Sequence, residues 1–213
     1  MIITFHGNQY IKLQTGNTVI SCNPEASEKG AKTTRFGANI VLATNVYSGS
    51  DPRLETNQYG DADPFLIYGP GSYEVDGLSI RGYMGQSTDK FPMEAPETIY
   101  LFTFDDMRVV FLGGIIDRSQ IPPEFFEAVD EIDLLFVSVP SDSKSDANHV
   151  HSLVTSLSPK GVIPIGYTDV KDQDLQAFAK ELGAENTSGE EKATLKLKDL
   201  PATAMSIFVL KNS

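Results

Sequence analysis

The chain has 213 residues, of which 40% are hydrophobic and 22% charged, with a formal net charge of −12. Such a composition belongs to a globular chain long enough for a sizeable core. The acidic balance excludes a nucleic-acid or anionic-membrane surface, which needs basic patches to release counterions. A single cysteine, Cys22, excludes an intramolecular disulfide and a cysteine-rich zinc site, and no apolar run approaches the ~20 residues of a membrane span.

The opening MIITFHG has no basic segment before a long apolar one, so no secretory signal is expected and a cytoplasmic location fits. Residues 2–6 (IITFH) and 10–13 (YIKL) read as short strands, and Thr15-Gly16-Asn17 turns the chain into a third, 18–22. Cys22 ends that strand and is expected to be a buried, inert thiol. Residues 25–35 are polar and weakly patterned. Then ANIVLATNVYSGSD (38–51) runs from an apolar strand into small polar groups, and a short helix is expected within 51–60.

A strand at 65–68 precedes a hairpin about Asp76-Gly77 and, after a loop, a second hairpin about Asp105-Asp106. From Ile121 the pattern alternates between helix and strand. Pro122 and Pro123 open a helix with Phe125, Phe126 and Val129 on its apolar face. IDLLFVSV (132–139) is a buried strand, and Ser145 or Asp146 caps a helix carrying Val150, Leu153, Val154 and Leu157. After a strand at 162–165, Thr168 or Asp169 caps a helix with Leu175, Phe178, Ala179 and Leu182, ended by Gly183. The tail returns to strand at 193–197 and 205–210. A single domain over 1–213 with layered α and β structure is expected.

Chemistry-bearing groups are sparse. Asn148-His149-Val150-His151 has the form of a chelating HxH, but on a helix the two rings point roughly 200° apart. His6 stands at a strand end and reads as a core or edge residue. No phosphate-binding or serine-nucleophile glycine motif occurs, and Gly113-Gly114 reads as a structural turn. Asp51, Asp117 and Asp169 each follow a strand end and together have the donor chemistry for a hard cation. Ser48 and Ser50 lack a histidine that spacing assigns as their base.

The order of these segments resembles the metallo-β-lactamase-fold hydrolases, of the compact type called metal-dependent hydrolases. ITFHGNQYIKLQTGNTVISCNP is similar to that family's opening strands, which carry a GH pair and an aspartate before the proline. GANIVLATNVYSGSD is similar to the strand entering the HxHxDH metal motif, and PGSYEVDGLSIRGY, VVFLGGI, IDLLFVSV and LSPKGVIPIGY follow in the family's order. The resemblance implies a four-layer αββα sandwich and two metal ions that generate hydroxide. It also implies that this chain has lost the ligands. Asn8 stands for the early histidine, Asn23 for the early aspartate, and Asn45, Tyr47, Gly49 and Ser50 for the metal motif. Gly114 stands for the later aspartate and Gly166 for the last histidine. Asparagine and serine are poor zinc ligands and glycine has no side chain to offer.

The expectation is therefore a catalytically inactive protein without a cofactor, binding a small molecule or protein partner through Asn8, Asn45, Tyr47, Gly49, Ser50, Gly114 and Gly166. A hydrolase built unconventionally on Asp51, Asp117 and Asp169 is the alternative. Homo-oligomeric assembly is a third option.

Overall fold

Tight turns and alternating apolar residues generate two sheets. The computed structural model describes residues 1–24, 37–45, 63–90, 93, 96–139, 144–184 and 187–213. Strands β1 (Ile2–Phe5), β2 (Ile11–Thr15) and β3 (Thr18–Cys22) form an antiparallel meander, which β4 (Ile40–Ala43) and β5 (Phe65–Tyr68) extend in parallel. Side-chain alternation separates the faces. Ile3, Phe5, Leu13, Ile20 and Cys22 enter the main core, whereas Val19, Ala38 and Val41 form a separate cluster with Leu66.

The second sheet begins with the antiparallel strands β6 (Gly71–Val75), β7 (Leu78–Met84), β8 (Thr98–Phe104) and β9 (Met107–Phe111), with tight hairpins between β6 and β7 and between β8 and β9. Asp76 and Gly77 have φ of 51° and 77°, and Asp105 and Asp106 have 54° and 63°, the left-handed backbone that tight hairpins require. β10 (Leu134–Ser138) and β11 (Gly161–Ile165) then add in parallel. Both are buried along their whole length, as strands are when a sheet covers one face and crossover helices the other. β12 (Ala193–Thr194) pairs with β1, and β13 (Ser206–Ile207) with β11. The sheet orders are β12-β1-β2-β3-β4-β5 and β13-β11-β10-β9-β8-β7-β6, and residues of both contribute to one core.

Pro164 explains why β13 is short. The Gly161 N–H donates to the Asp133 carbonyl, and the Ile165 carbonyl accepts from Val139, so the odd-numbered residues of β11 bond towards β10. The Phe208 N–H donates to the Val162 carbonyl, which puts Pro164 on the β13 side with no N–H to give. The ladder stops after two residues, where the sequence pattern suggested six, 205–210.

Three α-helices accompany the second sheet among the described residues: α1 (Pro123–Ala128), α2 (Lys144–Leu157) and α3 (Gln173–Glu181). Phe125, the triplet Val150, Leu153 and Val154, and the triplet Leu175, Phe178 and Ala179 are their core-facing residues. Two expected caps are displaced. α2 already begins at Lys144, so Ser145 and Asp146 lie in its first turn. Asp172, not Thr168 or Asp169, caps α3, its carboxylate accepting from the N–H groups of Asp174 and Leu175. The helix expected in 51–60 lies outside the described residues. No helix among the described residues is long and apolar enough to cross a membrane.

Candidate functional site

Several strands empty at the same end of the sandwich. The Asn8 N–H donates to the Tyr167 carbonyl at 2.7 Å and the Gly166 N–H returns to the Asn8 carbonyl at 2.5 Å, joining the exits of β1 and β11 across the two sheets. Asn23 N–H donates to the Leu42 carbonyl, and Thr98 N–H to the Thr44 carbonyl, which draws in the exit of β4. Asn8 and Asn23 both have left-handed backbone, φ 49° and 45°, a conformation asparagine tolerates better than most residues.

The side chains gathered there satisfy one another. Asn23 Nδ2 donates to Gln9 Oε1 at 2.7 Å and to Thr44 Oγ1 at 2.9 Å, while Asn23 Oδ1 accepts from the Thr44 N–H at 2.8 Å. Gln9 Nε2 donates to Ser138 Oγ at 3.2 Å, and the Ser138 hydroxyl donates to the Gly113 carbonyl at 2.7 Å. The Thr44 N–H fixes which way the Asn23 amide faces, so its nitrogen points into the cluster. Thr44 and Ser138 are buried, and every bond in the chain is neutral. Gly113 closes it: its φ is +59°, and a Cβ there would stand 2.7 Å from Thr44 Oγ1.

Beside this network, among the described residues, lies the carboxylate of Glu97. Glu97, half-buried at the start of β8, accepts from Asn45 Nδ2 at 3.2 Å through Oε1 and from the Gly114 N–H at 3.4 Å through Oε2. Gly114 leaves it room, since a Cβ at that position would lie 3.1 Å from Oε1. Gly166 packs its bare Cα against Ser138 at φ +86°, a backbone that disfavours a side chain.

The same β9 exit carries Asp117. Asp117 Oδ2 lies 2.9 Å from His149 Nδ1 on α2, and its Oδ1 accepts from the Ser119 hydroxyl at 2.6 Å and the Ser119 N–H at 2.8 Å. Burial pushes the carboxyl up, but the Ser119 hydrogen bonds and the nearby His149 and Lys90 outweigh it, and the net shift is below the usual range. Lys90 Nζ is 3.0 Å from His149 Nε2. The HxH pair thus behaves as helix residues, with His149 engaged by Asp117. Asp169 instead accepts from the Lys171 N–H in a turn. Cys22 is fully buried, and burial pushes its thiol far up, in line with an inert group.

Of the expected site residues, Asn8, Asn45, Gly114 and Gly166 come to this end, with Asn23 between them. Tyr47, Gly49, Ser50 and Asp51 lie outside the described residues. Gln9, Thr44, Glu97 and Ser138 are the members that the sequence reading missed as site residues. The described residues do not fit the metal pair that the resemblance implies. The Asn23 amide turns N–H donors inward where a cation needs lone pairs. No group of three His, Cys, Asp or Glu residues able to hold a metal ion occurs among the described residues.

A family model described as the β-lactamase superfamily domain matches residues 2–166. No curated protein matches the chain. Among solved structures, the chain is similar to a proposed Zn-dependent hydrolase of the metallo-β-lactamase superfamily from Thermotoga maritima, with 17% identity and a TM-score of 0.63 over 99% of each chain. A proposed metal-dependent hydrolase from Parabacteroides distasonis is similar at 19% identity and TM-score 0.64, over 98% of this chain and 93% of that one. An isothiocyanate hydrolase from Delia radicum gut bacteria follows at 12% identity and TM-score 0.59, over 92% and 100%. At these identities the likeness establishes the fold alone.

Proposed function

The chain belongs to the β-lactamase superfamily, and on that premise we propose that it keeps the metallo-β-lactamase fold, has given up metal-dependent hydrolysis, and acts by binding a small molecule or partner. One observation carries the reading: the neutral chain Thr44–Asn23–Gln9–Ser138–Gly113 occupies the strand ends with its hydrogen bonds mutually satisfied. A metal site needs the opposite, lone pairs left free to converge on a cation. The polar side chains beside it, Asn8, Asn45 and Glu97, are suited to holding a ligand by hydrogen bonds, with Gly114 and Gly166 leaving room for them.

Elemental analysis of protein purified without added metal tests this. The expected result is well below one equivalent of zinc, manganese or iron, with chelator leaving stability unchanged. A stoichiometric metal, together with hydrolysis that a chelator abolishes, would overturn it.

The alternative is a hydrolase built on Asp51, Asp117 and Asp169. The contact between Asp117 and His149 favours it at one position, because a carboxylate that orients an imidazole is a common element of acid–base catalysis. Asp169 is spent on its turn. Loss of a measured hydrolytic activity in Asp117→Asn, with the fold intact, would favour this reading over the first.

A further inference from the structure

Glu97 holds less than its chemistry allows. A carboxylate has about four acceptor positions, and this one receives two N–H groups, at 3.2 and 3.4 Å, the long end of the useful range. Both donors are neutral. No ion pair to Glu97 forms among the described residues, in a chain that does pair Lys160 with Asp133 and Lys211 with Glu191. The Asn45 amide, with its nitrogen turned to Glu97, keeps its oxygen as a neutral acceptor nearby. The missing side chain at Gly114 leaves the carboxylate its place.

We propose that Glu97 anchors an ammonium group, so that the ligand of this site is a small molecule carrying a protonated amine. The inference rests on the ligand-binding reading above and supplies the ligand's chemistry. One negative charge with a neutral amide oxygen beside it matches an ammonium, which has one positive charge and up to three N–H donors. A divalent cation asks for more: six to eight oxygens for calcium, a near-ideal octahedron for magnesium. The chain's net charge of −12 also favours approach of a cation.

The test uses backbone amide NMR of the full chain with three matched probes: benzylamine, benzyl alcohol and benzoate. Benzylamine is expected to shift the amides of Asn45, Glu97 and Gly114, binding about tenfold tighter than the alcohol. Glu97→Gln, which removes the charge at nearly constant shape and keeps an acceptor for one of the two donors, is expected to erase that preference, with circular dichroism checking that the variant is folded. Equal binding of amine and alcohol at these amides, unchanged in E97Q, overturns the ammonium assignment and leaves the ligand-binding reading standing. If none of the three probes moves these amides, the inference falls together with binding of such ligands at this end. If manganese alone produces Glu97-dependent perturbations and benzylamine does not, the cation is a metal and the assignment is likewise overturned.

Discussion

Asn23 and Thr44 hold each other twice: the Thr44 N–H donates to Asn23 Oδ1 at 2.8 Å, and Asn23 Nδ2 donates to Thr44 Oγ1 at 2.9 Å. The pair ties the end of β3 to the end of β4, and through Gln9 and Ser138 it ties one sheet to the other. The aspartate that the family resemblance implies at position 23 could not do this, because a carboxylate ion has no N–H to give. Asn23→Asp should therefore lower stability by about 1–3 kcal/mol, through loss of both donated bonds at a part-buried site. Urea unfolding monitored by circular dichroism reads this directly. An N23D variant as stable as the parent at neutral pH would mean the network is incidental.

Gly114→Asp would place a second carboxylate against Glu97, where the Cβ alone already comes within 3.1 Å of Oε1. G114D should be destabilised, and Glu97→Ala should relieve it, with about 1 kcal/mol or more of non-additivity in the double-mutant cycle. Additive costs would show that the two positions do not meet.

Gly113→Ala should cost about 2 kcal/mol or more, since a left-handed φ of +59° and a collision with the Thr44 side chain act together. Gly16→Ala is a useful comparison. Its φ is +57°, but nothing lies within 4 Å of its Cβ, so only the backbone term remains. Equal unfolding midpoints for the two variants would contradict the packing part of the argument.

Acidification should weaken the fold in two stages. Burial lowers the His6 pKa, opposed by the Ser213 carbonyl and reinforced by Lys12, so the folded state prefers the neutral ring. Stability from this source is complete above the unfolded value of about 6.5 and is lost as pH falls through the lower folded value. The Asp117 carboxyl, held low on balance, contributes above about 3.9 and loses that contribution at lower pH still. Melting temperatures measured from pH 7 to 2 should fall in both windows. His6→Asn should flatten the first and D117N the second, and a variant with the parental slope in its own window would refute its assignment.

Local signals were legible in the sequence where they act alone. Thr15-Gly16-Asn17 placed β3 at its observed bounds, and Asp76-Gly77 and Asp105-Asp106 located both hairpins. They misled where neighbours compete. TDVKDQD offers two aspartates before one helix, and Asp169 closes a turn while Asp172 takes the cap. The extent of β13 depends on Pro164, more than 40 residues away in the chain, so its own apolar run could not reveal it. The site divides in the same way. Asn8, Asn45, Gly114 and Gly166 were readable through the family pattern, which marks positions. Gln9, Thr44, Ser138 and Glu97 became site members only through pairing between strands distant in sequence, as did the contact of His149 with Asp117.

Cys22, the last residue of β3, is wholly enclosed between the sheets and directly precedes the asparagine at the centre of the network. Being the chain's one thiol, it makes the protein its own clock for separation of the layers. A disulfide-exchange reagent can reach it only when the sandwich parts, so the labelling rate under native conditions measures how often that happens. The same measurement repeated with a bound ligand would show whether occupying the strand ends keeps the two sheets closed.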